Sequence, residues 1–195
     1  PEYYVNEKVR GEVMRQCGYF MTESTGHLSE YLPWFRKNRL SLDLYCDMPG
    51  FGGESGAYYH YSKAIAEKYL KEDVFALESG KLDPRSKEYC SYILEAIETG
   101  VPFKFNGNVF NDELYIRNLP NDCCVEVPMF ADRQGFHPVS VGKLPPQLAA
   151  MNQSNISVQS LAASGAKQTD PELVFWAAAM DPLTSAVLNL DQIRN

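Results

Sequence analysis

The chain has 195 residues, 45% hydrophobic and 22% charged, a globular composition that argues against disorder. Eighteen Lys and Arg against twenty-five Asp and Glu leave a net charge of −7, which disfavours nucleic acid as a partner because phosphate neutralisation needs clustered bases. No apolar run approaches the roughly 18 residues of a membrane span.

Five cysteines are an odd number for a disulfide framework and read as reduced thiols of a cytoplasmic protein. The chain starts at Pro1 without a signal-peptide pattern and stops at Asn195 in what reads as the middle of a helix. Both ends read as cut, so a piece of a longer polypeptide is expected, forming one domain over 1–195.

Val5, Val9 and Val13, with Met14 and Cys17 nearby, mark a helix face, and Gly18 suits its C-terminal cap. Residues 19–26 (YFMTESTG) read as a loop or strand end. Leu28, Tyr31, Leu32 and Phe35 have amphipathic helix spacing, limited by Pro33. The glycine-rich stretch 48–56 reads as mobile. Ala57 to Leu77 is helical by pattern, with Ile65, Tyr69 and Leu70 on one side. Asp83-Pro84 reads as the start of a helix that carries Tyr89, Ile93, Leu94 and Ile97 and ends at Gly100.

The period then changes to that of strands. Residues 101–105 alternate, Asn106-Gly107 predicts a turn, and Val109-Phe110, 114–116, 123–130 and 136–141 predict further strands, with a turn at 132–135. Pro145-Pro146 opens a long helix to about Ala166. Asp170-Pro171 and Asp181-Pro182 open two more, and Leu173 to Met180 has the apolar character of a buried helix. Helices, then a strand meander, then helices define an α+β fold with a largely antiparallel sheet packed with helices.

The chain has no GxGxxG, P-loop, HExxH or CxxC motif. Cys123 and Cys124 are adjacent, so in a strand one faces the core and the other faces out. His27 lies three residues before Glu30, a spacing that lets each orient the other for acid–base work or leaves both in a capping or surface role. His60, among tyrosines, reads as a packing residue, and His137 stays open between function and structure. Tyr19, Phe20, Tyr31, Trp34 and Phe35 combine aromatic rings with His27, Glu30, Arg36 and Lys37. Rings beside hydrogen-bonding groups suit sugar binding, or the rings fill a core.

Residues 18–37, GYFMTESTGHLSEYLPWFRK, resemble the signature of glycoside hydrolase family 4, most closely its α-galactosidase (melibiase) branch. Further segments match in order: 97–100 (IETG), 105–109 (FNGNV), 118–120 (NLP), 125–128 (VEVP), 141–147 (VGKLPPQ) and 181–184 (DPLT). The resemblance implies an enzyme that needs NAD⁺ and a divalent metal, usually Mn²⁺, an exception to two-carboxylate glycoside hydrolysis. It implies oxidation of the sugar at carbon 3, proton abstraction at carbon 2, elimination of the aglycone, addition of water and return of the hydride.

Tyr19 is the expected catalytic base, and His27, Glu30, Tyr31 and Trp34 are expected to shape the sugar pocket. Arg133, in the turn after the strand, is a further candidate to reach substrate. The family's nucleotide-binding half, with its metal-binding Cys and His, has no counterpart in this sequence. None of Cys17, Cys46, Cys90, Cys123 and Cys124, nor any His here, occupies the family's metal-ligand motif, so no metal and no nucleotide ligand is expected on this chain. The resemblance is to the carboxy-terminal part of the enzyme, similar to the second domain of lactate and malate dehydrogenases, which binds substrate and forms subunit contacts. A homo-oligomer acting on α-galactosides is expected, with the isolated chain inactive. Other implied readings are an α-glucosidase or α-galacturonidase of the same family, and a non-catalytic binding or assembly module. An apolar face left uncovered where a nucleotide domain would dock should make the chain self-associate.

Overall fold

A computed structural model describes residues 7–46, 57–71 and 84–195. The chain divides into two compact units, one formed by residues 1–76 and 153–195, the other by residues 77–152.

The first unit opens with α1 (Lys8–Cys17), whose Val9 and Val13 are buried. Gly18 closes it in the left-handed conformation, φ 78°, and donates to the Met14 carbonyl. Helix α2 (Thr25–Tyr31) follows the N-cap Ser24, begins one residue before the expected end of the loop, and packs on α1. Its Leu28, with Leu32 and Phe35 beyond it, is buried. A third helix, α3 (Arg39–Tyr45), has no counterpart in the sequence reading. It is only seven residues long, it buries none of its own side chains, and its N-cap Asn38 accepts from the Ser41 N–H.

Helix α4 (Ala57–Lys71) covers the described part of the stretch expected to run to Leu77. Its Tyr69 and Leu70 are exposed rather than turned to a core. Val5, the stretch 48–56, residues 72–77 and Asp83 lie outside the described residues.

In the second unit, Pro84 is not helical; α5 (Cys90–Thr99) begins well after it and ends at Gly100, φ 80°. A Pro at a helix start is only permitted there, and here the chain turns helical later. Strand β1 (Phe103–Phe110) runs unbroken through Asn106-Gly107, which is therefore no turn. A two-residue hairpin would need left-handed backbone at both residues. Instead, Asn106 pairs with Pro128 and Gly107 with Val127 across β2 (Cys124–Asp132). The glycine leaves room for a neighbour: a Cβ on it would stand 2.6 Å from the Met129 Sδ.

Strand β3 (Gly135–Pro138) completes a three-stranded antiparallel sheet in the order β1-β2-β3. The expected strand at 114–116 does not form: a short 3-10 helix (Asn111–Glu113) precedes it, and only Ile116 makes a single bridge, to Gly142. Helix α5 packs on β1 and β2. There Tyr92 stacks on Phe103 and Tyr89 lies against Phe105, while Val125, Val127, Met129 and Ala131 of β2 are buried. Cys123, just before β2, is buried and Cys124, the first residue of the strand, is exposed, so one thiol faces in and the other out.

Helix α6 (Pro146–Gln168) is followed by α7 (Pro171–Met180), α8 (Pro182–Val187) and α9 (Leu190–Arg194). The side chains of Asp170 and Asp181 cap α7 and α8, each with proline at the first helical position. Helix α7 is not the buried helix its composition suggests. It packs on α8 and α9 and buries only Ala177 and Ala179, leaving Val174, Trp176 and Met180 exposed. A helix offers one stripe to its neighbours, and here the small residues occupy it. The α+β class and the antiparallel sheet are as expected.

Candidate functional site

The region from Gly18 to Phe35 lies within the first unit, and it gathers five of the six residues singled out above. Tyr19 follows the α1 cap directly, and its ring is half exposed. The next residues, Phe20 to Glu23, are neither helix nor strand.

Ser24 then starts α2, its Oγ accepting from the His27 backbone N–H at 3.4 Å. One helical turn separates His27 from Glu30 and Tyr31, so all three side chains share a face. His27 Nδ1 lies 3.2 Å from Glu30 Oε2, and its ring stacks on Tyr31 with centroids 6.3 Å apart. Trp34 stands half exposed, edge-on to the buried Phe35, which in turn meets Tyr45 at 5.0 Å. The aromatic reading therefore divides: Phe35 fills the core, while Tyr19, Phe20, Tyr31 and Trp34 present ring surface to solvent.

Beneath this surface lies a set of hydrogen bonds. Ser29 is fully buried; its Oγ donates to the Gly26 carbonyl and accepts from Arg36 Nε at 2.8 Å. Arg36 Nη2 stands 3.6 Å from Glu30 Oε1, so Glu30 is held between a guanidinium and an imidazole. The Tyr31 carbonyl accepts from Asn155 Nδ2 of α6 at 3.3 Å. On the other side, Arg10 of α1 donates to the carbonyls of Thr22 and Glu23. Arg10 and Ser29 carried no signal in the sequence, because their partners are fixed by helix packing rather than by spacing.

Arg133 belongs to the second unit. Its Nη2 donates to the Glu98 and Thr99 carbonyls at 3.0 and 3.2 Å, closing the end of α5. His137 Nε2 lies 2.9 Å from Asp132 Oδ1 in the β2–β3 hairpin, and this bond holds the Asp132 carboxyl below its usual range. That pair gives His137 a structural partner. The side chain of His60 lies outside the described residues.

Among the described residues, no three His, Cys, Asp or Glu side chains converge to hold a metal ion. The sheet is wholly antiparallel, so it offers no strand–turn–helix of the kind that seats a dinucleotide pyrophosphate. The described residues thus fit neither Mn²⁺ nor NAD. What they present to solvent is ring surface at Tyr31 and Trp34, the carboxylate oxygens of Glu30 and the half-exposed Tyr19. No helix among them is long and apolar enough to cross a membrane.

Residues 1–184 match the family 4 glycosyl hydrolase C-terminal domain, and the chain belongs to that family. It is 36% identical over 201 residues to an α-galactosidase of Rhizobium meliloti (strain 1021), covering 99% of this chain and 40% of that protein. It is 39% identical over 190 residues to an α-galactosidase of Bacillus subtilis (strain 168), covering 96% of this chain and 43% of the relative. The chain therefore spans about two fifths of the length of the curated relatives it matches.

Among solved structures it resembles LplD of Bacillus subtilis, assigned as a glucosidase, with a TM-score of 0.75 at 20% identity over 96% of this chain and 41% of that one. It also resembles a 6-phospho-α-glucosidase from gut microorganisms, solved in complex with NAD and Mn²⁺, with a TM-score of 0.51 at 19% identity over 72% of this chain and 30% of that one. At these identities the two structures bear on the fold.

Proposed function

We propose that this chain is the substrate-binding and subunit-contact part of a cytoplasmic α-galactosidase that uses NAD and Mn²⁺ in its intact form. In that reading the fold is that of the second domain of lactate and malate dehydrogenases. The observation that carries it is the identity of 36–39% with two curated α-galactosidases across nearly the whole chain. The oxidation–elimination–addition–reduction course is part of the proposal; in the intact enzyme the nicotinamide would supply the hydride chemistry, taking the hydride as NAD⁺ and giving it back as NADH.

The part of this chain is to bind, to orient and to move a proton. Tyr31 and Trp34 offer ring faces to the sugar. Glu30, aligned by Arg36 and His27, accepts its hydroxyls. Tyr19 takes the proton at its side-chain oxygen. Arg133, with its Nη2 engaged on the end of α5, is a further candidate to reach substrate. A homo-oligomer completes the proposal.

The test is hydrolysis of p-nitrophenyl α-galactoside by the intact gene product under reducing conditions, with NAD⁺ and Mn²⁺ supplied and withheld in turn. Release that needs both is expected. Tyr19→Phe should lower kcat by about 100-fold or more, the usual loss when a positioned proton acceptor is removed. Release that ignores both additions would sink the oxidative course. No release, with both bound, would move the assignment to an α-glucosidase or α-galacturonidase; no release and no binding would favour an assembly module. The isolated chain should be inactive, because the described residues hold no nucleotide site.

A further inference from the structure

The segment from Tyr19 to Glu23 carries the proposed base and has no strand ladder or helix of its own. A weak contact from Cys17 Sγ reaches the Tyr19 carbonyl at 3.6 Å. The stronger grip comes from Arg10, on α1. Its Nη2 donates to the Thr22 carbonyl at 2.9 Å, its Nε donates to the Glu23 carbonyl, and its guanidinium lies over the Phe20 ring at 5.2 Å. Glu7 stands 3.3 Å from the same Nε and accepts from Thr25 Oγ1 at 2.6 Å, tying the start of α2 to the same anchor. The Arg10 side chain is only 19% exposed.

We infer that Arg10 is a positioning residue for the reaction: it fixes the Tyr19–Glu23 segment so that the phenol is presented in a working geometry. The inference rests on Tyr19 being the base. A guanidinium suits the task because its planar fork satisfies two carbonyls at once and its face covers a ring, whereas an ammonium offers a single point.

The experiment compares wild type, Arg10→Ala and Arg10→Lys in the intact enzyme by steady-state kinetics and by amide hydrogen exchange. Arg10→Ala should lose about 100-fold in kcat, the scale of a misplacement of about 1 Å at a reacting group. Its KM should stay within about threefold, since the binding face on α2 is untouched. Exchange should quicken at residues 19–24 and not in the helices. Arg10→Lys should fall between, and added guanidinium should restore part of the kcat of Arg10→Ala. Unchanged kcat in Arg10→Ala, or faster exchange spread evenly over α1 and α2, would overturn the inference. If the wild type cleaves no α-galactoside, the functional reading has failed, and the exchange pattern alone decides whether Arg10 is the anchor.

Discussion

Asn111 is fully buried, and its side chain serves four backbone groups. Its Nδ2 donates to the carbonyls of Ile116, Leu119 and Pro120, and its Oδ1 accepts from the Ile116 N–H at 2.9 Å. The loop between β1 and β2 therefore closes on one amide. Asn111→Ala would strand those groups, at a cost of roughly 2–4 kcal/mol in denaturant unfolding. Asn111→Asp should cost about as much, because a carboxylate cannot donate to three carbonyls.

The Asp132–His137 pair makes a different prediction at the same scale. Its hydrogen bond lowers the native Asp132 pKa relative to the unfolded chain. Such a group contributes stability above its unfolded value of about 4 and loses it as pH falls through the lower native value. Thermal melts stepped downward from pH 5 should show that loss, and His137→Gln should flatten it. Both groups are part-exposed, so the effect will be small and weakened by salt.

Element by element, the chain was readable where a local rule decides the outcome. Asp170-Pro171 and Asp181-Pro182 start helices, each aspartate side chain accepting from an N–H of the first turn, whereas Pro84 of the like dipeptide at 83–84 is not helical. Gly18 and Gly100 end helices for an equally local reason. Asn106-Gly107 misled because its conformation is set by β2, which aligns all eight residues of β1 and seats Met129 over the glycine. Gly107→Val should therefore destabilise by about 1–3 kcal/mol through overpacking, and Met129→Ala should relieve part of it in the double variant.

The junction of α6 and α7 offers a gain instead. Thr169 sits there at φ 54°, a conformation that costs a β-branched residue about 1–2 kcal/mol. Thr169→Asn should raise the unfolding free energy by up to about 1 kcal/mol. The candidate site was legible in the same uneven way. The run from Tyr19 to Trp34 stands out as aromatic and polar in the sequence. The anchors beneath it, Arg10 and Ser29, act through tertiary contacts and leave no periodic trace.

For the molecule as a whole, both units leave large apolar side chains in water. Leu40 and Leu70 of the first are 77% and 87% exposed, and Val101 and Phe110 of the second are 67% and 65% exposed. Surface of this kind favours association. Sedimentation velocity of the isolated chain should show mass rising with concentration, whereas a single monomeric boundary throughout would refute it.

The two units also differ in a way that chemistry can follow. Cys46 is buried in the first at 2% exposure and Cys123 in the second at 7%. Burial raises the Cys123 thiol above its usual range and so slows its alkylation further. Cys90 and Cys124 stand open and should label at once. The protein thus carries a natural chronometer for each unit: iodoacetamide reaches Cys46 or Cys123 only when its surroundings open. Mapping the label by peptide mass at rising urea would show whether the two units come apart in one cooperative event or in succession.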